Sequence, residues 1–166
     1  VYVKEGEGRD FLIVDAAMND LLRPAMYGAH HDIVPLIEPA VGATVQPFDV
    51  VGPVCESGDT FQKGAELPAM AAGDLIAFRS AGAYGAVMSS SYNTRPLIPE
   101  VLVSGADHAV VRRRPTVEEM LAARGIVMSH ETVRRAAWEY KSRRSGSWSA
   151  VRRQHRAIVA NSRALS

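Results

Sequence analysis

Short apolar or alternating runs, set apart by Gly, Pro, Asn and Asp, dominate residues 1–115. They fall at Phe11 to Val14, Asp32 to Ile37, Phe48 to Val51, Leu75 to Phe78, Glu100 to Val103 and Ala109 to Val111. Runs this brief with turn residues between them read as strands, and several in succession point to a barrel or a sandwich. Asn19 to Leu22 and the stretch after Pro24 have room only for small helices, and Gly6-Glu7-Gly8 reads as a hairpin turn, since it lacks the lysine and following helix of a phosphate loop. Past Arg112-Arg113-Arg114-Pro115 the spacing changes. Val117 to Ala123 repeats with helical period, Gly125 can stop that helix, and Ser129 can cap a second one over His130 to Lys141. Ser142 to Ser149, rich in serine and glycine, has the composition of a flexible link. Two segments are therefore expected: a mainly β domain over 1–115 and a basic helical tail over 116–166.

Charge sharpens that division. The chain of 166 residues carries a net charge of +1, but residues 1–120 hold 9 basic against 16 acidic residues, a net of −7, and residues 121–166 hold 10 against 2, a net of +8. Such a split suggests two segments with different histories or partners. One cysteine excludes an internal disulfide, and no apolar run is long enough to span a bilayer. The expectation is a cytoplasmic protein without membrane contact.

Three segments carry candidate chemistry. Cys55-Glu56-Ser57-Gly58-Asp59 sets the single thiol beside a carboxylate in a loop entered through Gly52-Pro53. It is either a site or an ordinary turn, because Ser, Gly and Asp are turn formers and an isolated Cys commonly serves as a small hydrophobe. In Arg79-Ser80-Ala81-Gly82-Ala83-Tyr84-Gly85 a strand gives way to small residues that let a backbone approach a ligand, with Tyr84 the one large polar group. In Met18 to Tyr27, Pro24 biases Arg23 away from helical geometry and can open a helical turn, so that Arg23 and Tyr27 face one space. His30 and His31 are adjacent, would face opposite sides of a strand and make a poor metal pair. No metal site is expected. Asp107 and His108 have no nucleophile near them in sequence, which argues against a hydrolase triad.

Val14-Asp15-Ala16-Ala17-Met18-Asn19-Asp20-Leu21 with Arg23-Pro24 and Tyr27, then Cys55 to Asp59, then Arg79 to Gly85, resemble diaminopimelate decarboxylase, in that order and over about residues 1–121. Glu56, where related ornithine and arginine decarboxylases typically place aspartate, favours this branch. The resemblance implies the β-barrel of the alanine racemase/decarboxylase carboxy-terminal domain type, pyridoxal phosphate as cofactor, a homodimer, and conversion of meso-diaminopimelate to L-lysine with release of CO2. Arg23 and Tyr27 would hold a substrate carboxylate, which suits the planar guanidinium fork. Tyr84 would bond the cofactor phosphate and border the substrate. Cys55 and Glu56 would cross a dimer interface, Glu56 towards the distal amino-acid group and Cys55 as proton donor after CO2 leaves, a role open to a thiol of ordinary pKa near 8.5.

Enzymes of that family also carry an amino-terminal eight-stranded barrel with the lysine that forms the Schiff base. Only Lys4, Lys63 and Lys141 occur here, none in a matching context. The resemblance therefore implies half a substrate site, inactive alone, or a non-catalytic dimerisation module. After Glu118-Glu119 the chain departs from the family pattern. Glu118 to Arg135 resembles the helix-turn-helix of insertion-sequence transposases, as a gene interrupted near Leu121 by a mobile element would produce. The functional expectation for the tail is DNA binding, through a helix-turn-helix over residues 116–141 with Arg134 and Arg135, followed by Arg143, Arg144, Arg152 and Arg153, with Trp138 and Trp148 interleaved. The alternative is a basic extension with no selected role.

Overall fold

The computed structural model describes residues 1–126. Its main sheet has four strands in the order β1 (Tyr2–Lys4), β2 (Asp10–Ile13), β4 (Val45–Val51), β5 (Thr60–Pro68). The outer pairs are antiparallel, whereas β2 runs parallel to β4, with Leu12 beside Val50. A parallel pair needs a long crossover. Here it is the stretch that carries helix α1 (Arg23–Tyr27) and strand β3 (Ile33–Pro35). β3 pairs with β6 (Ile76–Phe78), and β7 (Glu100–Ser104) with β8 (Asp107–Arg112), each as a separate two-stranded antiparallel ribbon.

Mainly β architecture and all six expected strands are present. The closed barrel is not: β1 and β5 remain the two edges of the main sheet, because among the described residues no ladder joins either to a ribbon. Strands β1 and β5 had no counterpart in the sequence pattern. In β5 the buried series Phe61, Ala65, Leu67 is interrupted by exposed Lys63 and Gly64. The interruption is a bulge: Phe48 lies opposite Ala65 but Val50 opposite Gln62, so β5 spends one residue more than β4. Gly64 takes φ +61° there, and its N–H reaches Asp49 Oδ1 at 3.0 Å in place of a ladder partner. Asp49 Oδ2 in turn accepts from Arg9 at 3.0 Å.

Leu12, Val14, Phe48, Val50, Phe61, Ala65 and Leu67 form the core, joined from outside the sheet by Leu21 and Ala81. Burying side chains of the Leu, Val and Phe type contributes about 1.5–3 kcal/mol apiece. The β3–β6 ribbon docks through Phe78, whose ring lies 4.6 Å from that of Phe61 at an interplanar angle of 47°.

Helix α1 starts at Arg23, contrary to the expectation that Pro24 would hold that residue out of helical geometry. Pro24 sits in the first turn, where no N–H is required, and Gly28 at φ +62° closes the helix by donating to Pro24 O at 3.0 Å. Helix α2 (Gly82–Met88) occupies what reads in the sequence as an open glycine loop. Its buried Gly85 faces Leu21 and the Asp20 carbonyl, so the small residues let this helix lie close to that backbone. Helix α3 (Val117–Ala122) is capped by Thr116, whose hydroxyl accepts from Glu119 N while the Glu119 carboxylate accepts from Thr116 N. Gly125 follows at φ +75°, where a helix stop was expected. The second tail helix, the arginine pairs from Arg134 onward and both tryptophans lie outside the described residues. Among the described residues no helix is long and apolar enough to cross a membrane.

Candidate functional site

The loop between β4 and β5 carries Cys55 and Glu56, and its shape is set by Asp59. That carboxylate is buried and accepts two backbone donors, Met18 N at Oδ1 and Val54 N at Oδ2, each at 2.6 Å. Gly52 N bonds Asp59 O at 2.9 Å and Asp59 N bonds Glu56 O at 3.0 Å, so the loop folds back on its own stem. Gly52 is obligatory, because any Cβ there would collide with the Asp59 carboxylate. Gly58 packs against Met18 and Ala25 and thereby seats the loop beside α1. Cys55, Glu56 and Ser57 are left exposed at its tip. Cys55 is thus a surface thiol beside an exposed carboxylate, not a buried small hydrophobe.

Arg23, at the start of α1, is half-buried, and its guanidinium carbon stands 5.0 Å from the centre of the Tyr84 ring on α2. The fold so joins two residues that the sequence placed in separate motifs. Tyr27, one turn further along α1, is 66% exposed, and Tyr84 is 64% exposed. Arg23 Nε is buried without a partner, a donor that the described residues leave unused.

A third segment, Ser89 to Arg95, completes the group. Tyr92 Oη donates to Glu56 Oε1 at 2.5 Å, and this carboxylate raises the Tyr92 phenol above its ordinary pKa. Ser90 exchanges two hydrogen bonds with Asn19, and Arg95 donates to the Asp15 carbonyl at 2.6 Å and to Asp20 at 3.5 Å. Burial pushes the Asp20 carboxyl above its ordinary value; the Ala17 N–H and the Arg95 charge pull the other way. Asp20 also contributes to a cleft of about 290 Å³ between α2 and the β7–β8 ribbon, walled by Leu21, Phe78, Ile98 and Val101. Tyr92, Asn19, Asp20 and Arg95 had no assigned part in the sequence reading. For Asn19 and Asp20 a signal existed, a polar pair enclosed by Ala17 and Leu21; for Tyr92 there was none.

His30 and Asp32 pair at 3.3 Å on the surface, while His31 is buried with Nδ1 against Arg79 O at 3.2 Å, which gives the adjacent histidines separate environments as expected. Among the described residues no group of three or more His, Cys, Asp or Glu could hold a metal ion.

Residues 1–82 match the family described as pyridoxal-dependent decarboxylase, C-terminal sheet domain. The diaminopimelate decarboxylase of Pseudomonas aeruginosa is 53% identical over 126 residues, which are 76% of this chain and 30% of that protein. The enzyme of Zymomonas mobilis is 48% identical over 123 residues, 73% of this chain and 28% of its own length. Among solved structures, the diaminopimelate decarboxylase of Helicobacter pylori complexed with L-lysine superposes with a TM-score of 0.67 at 42% identity, covering 75% of this chain and 30% of that one. The chain therefore spans less than a third of the length of the curated relatives it matches.

Proposed function

We infer the role of this chain from the family to which it belongs, the pyridoxal-dependent decarboxylases, whose C-terminal sheet domain it carries. The reading is that it contributes the sheet-domain half of a diaminopimelate decarboxylase site, at an interface between two subunits. One observation supports it above the others: Arg23 lies over Tyr84, which joins two motifs of the resemblance, while Cys55 and Glu56 stand exposed at a loop tip, as residues that reach into a second subunit must.

The residues present suit a pyridoxal phosphate and an amino-acid substrate. Tyr84 offers an exposed phenol to the cofactor phosphate, and Arg23 keeps a buried donor unspent. When bound, the cofactor supplies the electron sink that takes up the pair left as the C–CO2 bond breaks. This chain's part is positioning and proton control. Arg23, held flat by the Tyr84 ring, grips a substrate carboxylate with parallel N–H donors, assisted by Tyr27. Glu56 receives the distal ammonium group. Cys55 Sγ passes its proton to the carbon that lost CO2 and recovers one from water. Lys4 on β1 and Lys63 at the β5 bulge are both exposed strand residues, and on this reading the lysine that carries the cofactor belongs to the barrel half of the enzyme, which residues 1–126 do not include.

The test mixes the chain with a full-length diaminopimelate decarboxylase whose own Cys-Glu loop has been disabled by substitution. Co-purification and recovered release of CO2, lost again with Cys55→Ala, support the reading. Failure to co-purify and to restore turnover rejects it, and so does turnover by the chain with no other protein present.

A further inference from the structure

We propose that Tyr92 is a positioning residue for Glu56: its phenol fixes the orientation in which the carboxylate meets the distal, positively charged end of the substrate. This rests on the reading of Glu56 given above and adds to it a residue that no motif of the resemblance contains.

Both ends of the hydrogen bond are mounted on braced backbone. On the Glu56 side, Asp59 ties the loop to Met18 N and Val54 N, and Gly52 leaves the space which that carboxylate fills. On the Tyr92 side, the turn is fastened at each flank. Ser90 is paired with Asn19, Arg124 donates to Ser91 Oγ at 2.9 Å, and Arg95 reaches Asp15 O. Asn93 and Thr94, next along the chain, both adopt left-handed φ, +56° and +57°. Asparagine tolerates that conformation, but for β-branched Thr94 it is unfavourable and persists only where the surroundings impose it.

The bond itself is exposed at both ends, and a solvent-exposed hydrogen bond adds little to stability because water competes for each partner. A strained Thr94 and three tethers are therefore out of proportion to a stabilising role. They are in proportion to an orienting one. A free glutamate samples several rotamers, and a ligand that needs one of them bears the entropy of selecting it. With Tyr92 donating to Oε1, the exposed Glu56 carboxylate has Oε2 left to accept from a cationic amine. The raised phenol keeps its proton, and hence the bond, further into alkaline solution than an ordinary tyrosine would.

The experiment uses the full chain with isotope-labelled tyrosine and glutamate, followed by NMR. The Tyr92 phenol should titrate above its ordinary value, its signal should vanish in Tyr92→Phe, and its midpoint should fall in Glu56→Gln. The Glu56 side chain should be ordered in the native chain and gain rotamer mobility in Tyr92→Phe, with the other glutamates unchanged. A Tyr92 phenol that titrates at its ordinary value, one that ignores Glu56→Gln, or a Glu56 equally ordered in Tyr92→Phe would overturn the proposal. Neither readout involves cofactor or substrate. The decarboxylase role can thus fail in the mixing experiment while the phenol titrates late, and the reverse outcome is equally distinct.

Discussion

The Arg23 guanidinium lies 5.0 Å from the centre of the Tyr84 ring, so the two residues that would grip substrate and cofactor are stacked on one another. Replacing Arg23 by Lys keeps the charge but loses the planar fork and its stacking surface. In the enzyme assembled with a cofactor-bearing subunit, Arg23→Lys should raise KM for diaminopimelate by about tenfold, the scale of one hydrogen bond to a charged group. Tyr84→Phe keeps the stacking and removes the phenol, so it should leave KM nearly unchanged while pyridoxal phosphate dialyses away faster. Equal effects of both variants on KM would refute the division of roles.

Gly52 and Asp59 predict the stability of the Cys55 loop. A methyl group at position 52 must displace a buried carboxylate that holds two backbone N–H groups. Gly52→Ala should lower unfolding stability by about 1–3 kcal/mol, in the range of other overpacking substitutions, as read from the urea midpoint. Asp59→Ala, which orphans the Met18 and Val54 donors, should cost at least as much. A native urea midpoint in Gly52→Ala would mean that the loop is not held in this way.

Glu119 predicts a pH response at the start of α3. The Arg113 guanidinium and the Thr116 N–H hold its carboxyl at about 2, against an ordinary value of 4.5. The stability it contributes is fully present above 4.5 and is lost as pH falls through about 2, since the protonated form makes neither contact well. Amide exchange of Val117 to Glu119 should accelerate over that window. With Arg113→Ala the carboxyl midpoint should return towards 4.5.

Asp20 responds in the opposite sense. Burial lifts its carboxyl above the ordinary 3.8, so ionising it costs the folded state as pH rises through the raised midpoint. Its NMR titration should centre above 3.8. Arg95→Met, by removing a charge that favours the ionised form, should move that midpoint higher still. A midpoint at or below 3.8 in the native chain would contradict the burial argument.

The candidate site residues were legible because they reside in short strings. Cys55-Glu56, Arg23 with Tyr27, and Tyr84 announce themselves by residue type and neighbours. Six strands likewise declare themselves by brief apolar runs. Strand β5 does not, because a bulge at Lys63-Gly64 breaks the alternation of Phe61, Ala65 and Leu67, and periodicity registers only unbroken repeats. The α2 segment misleads for a related reason. Glycines in Gly82-Ala83-Tyr84-Gly85 suggest an open loop, yet burial of Gly85 against Leu21 outweighs weak local propensity.

What the order of residues settled by itself was local: which groups could act, where turns and caps fall, and that charge divides near residue 120. Tertiary structure alone decided which of those groups meet. Arg23 reaches Tyr84, and Glu56 reaches Tyr92, only because Asp20, Arg95, Asn19 and Ser90 tie distant loops together through hydrogen bonds. Such pairings depend on contacts between residues far apart in the chain, and no pattern of spacing along it encodes them.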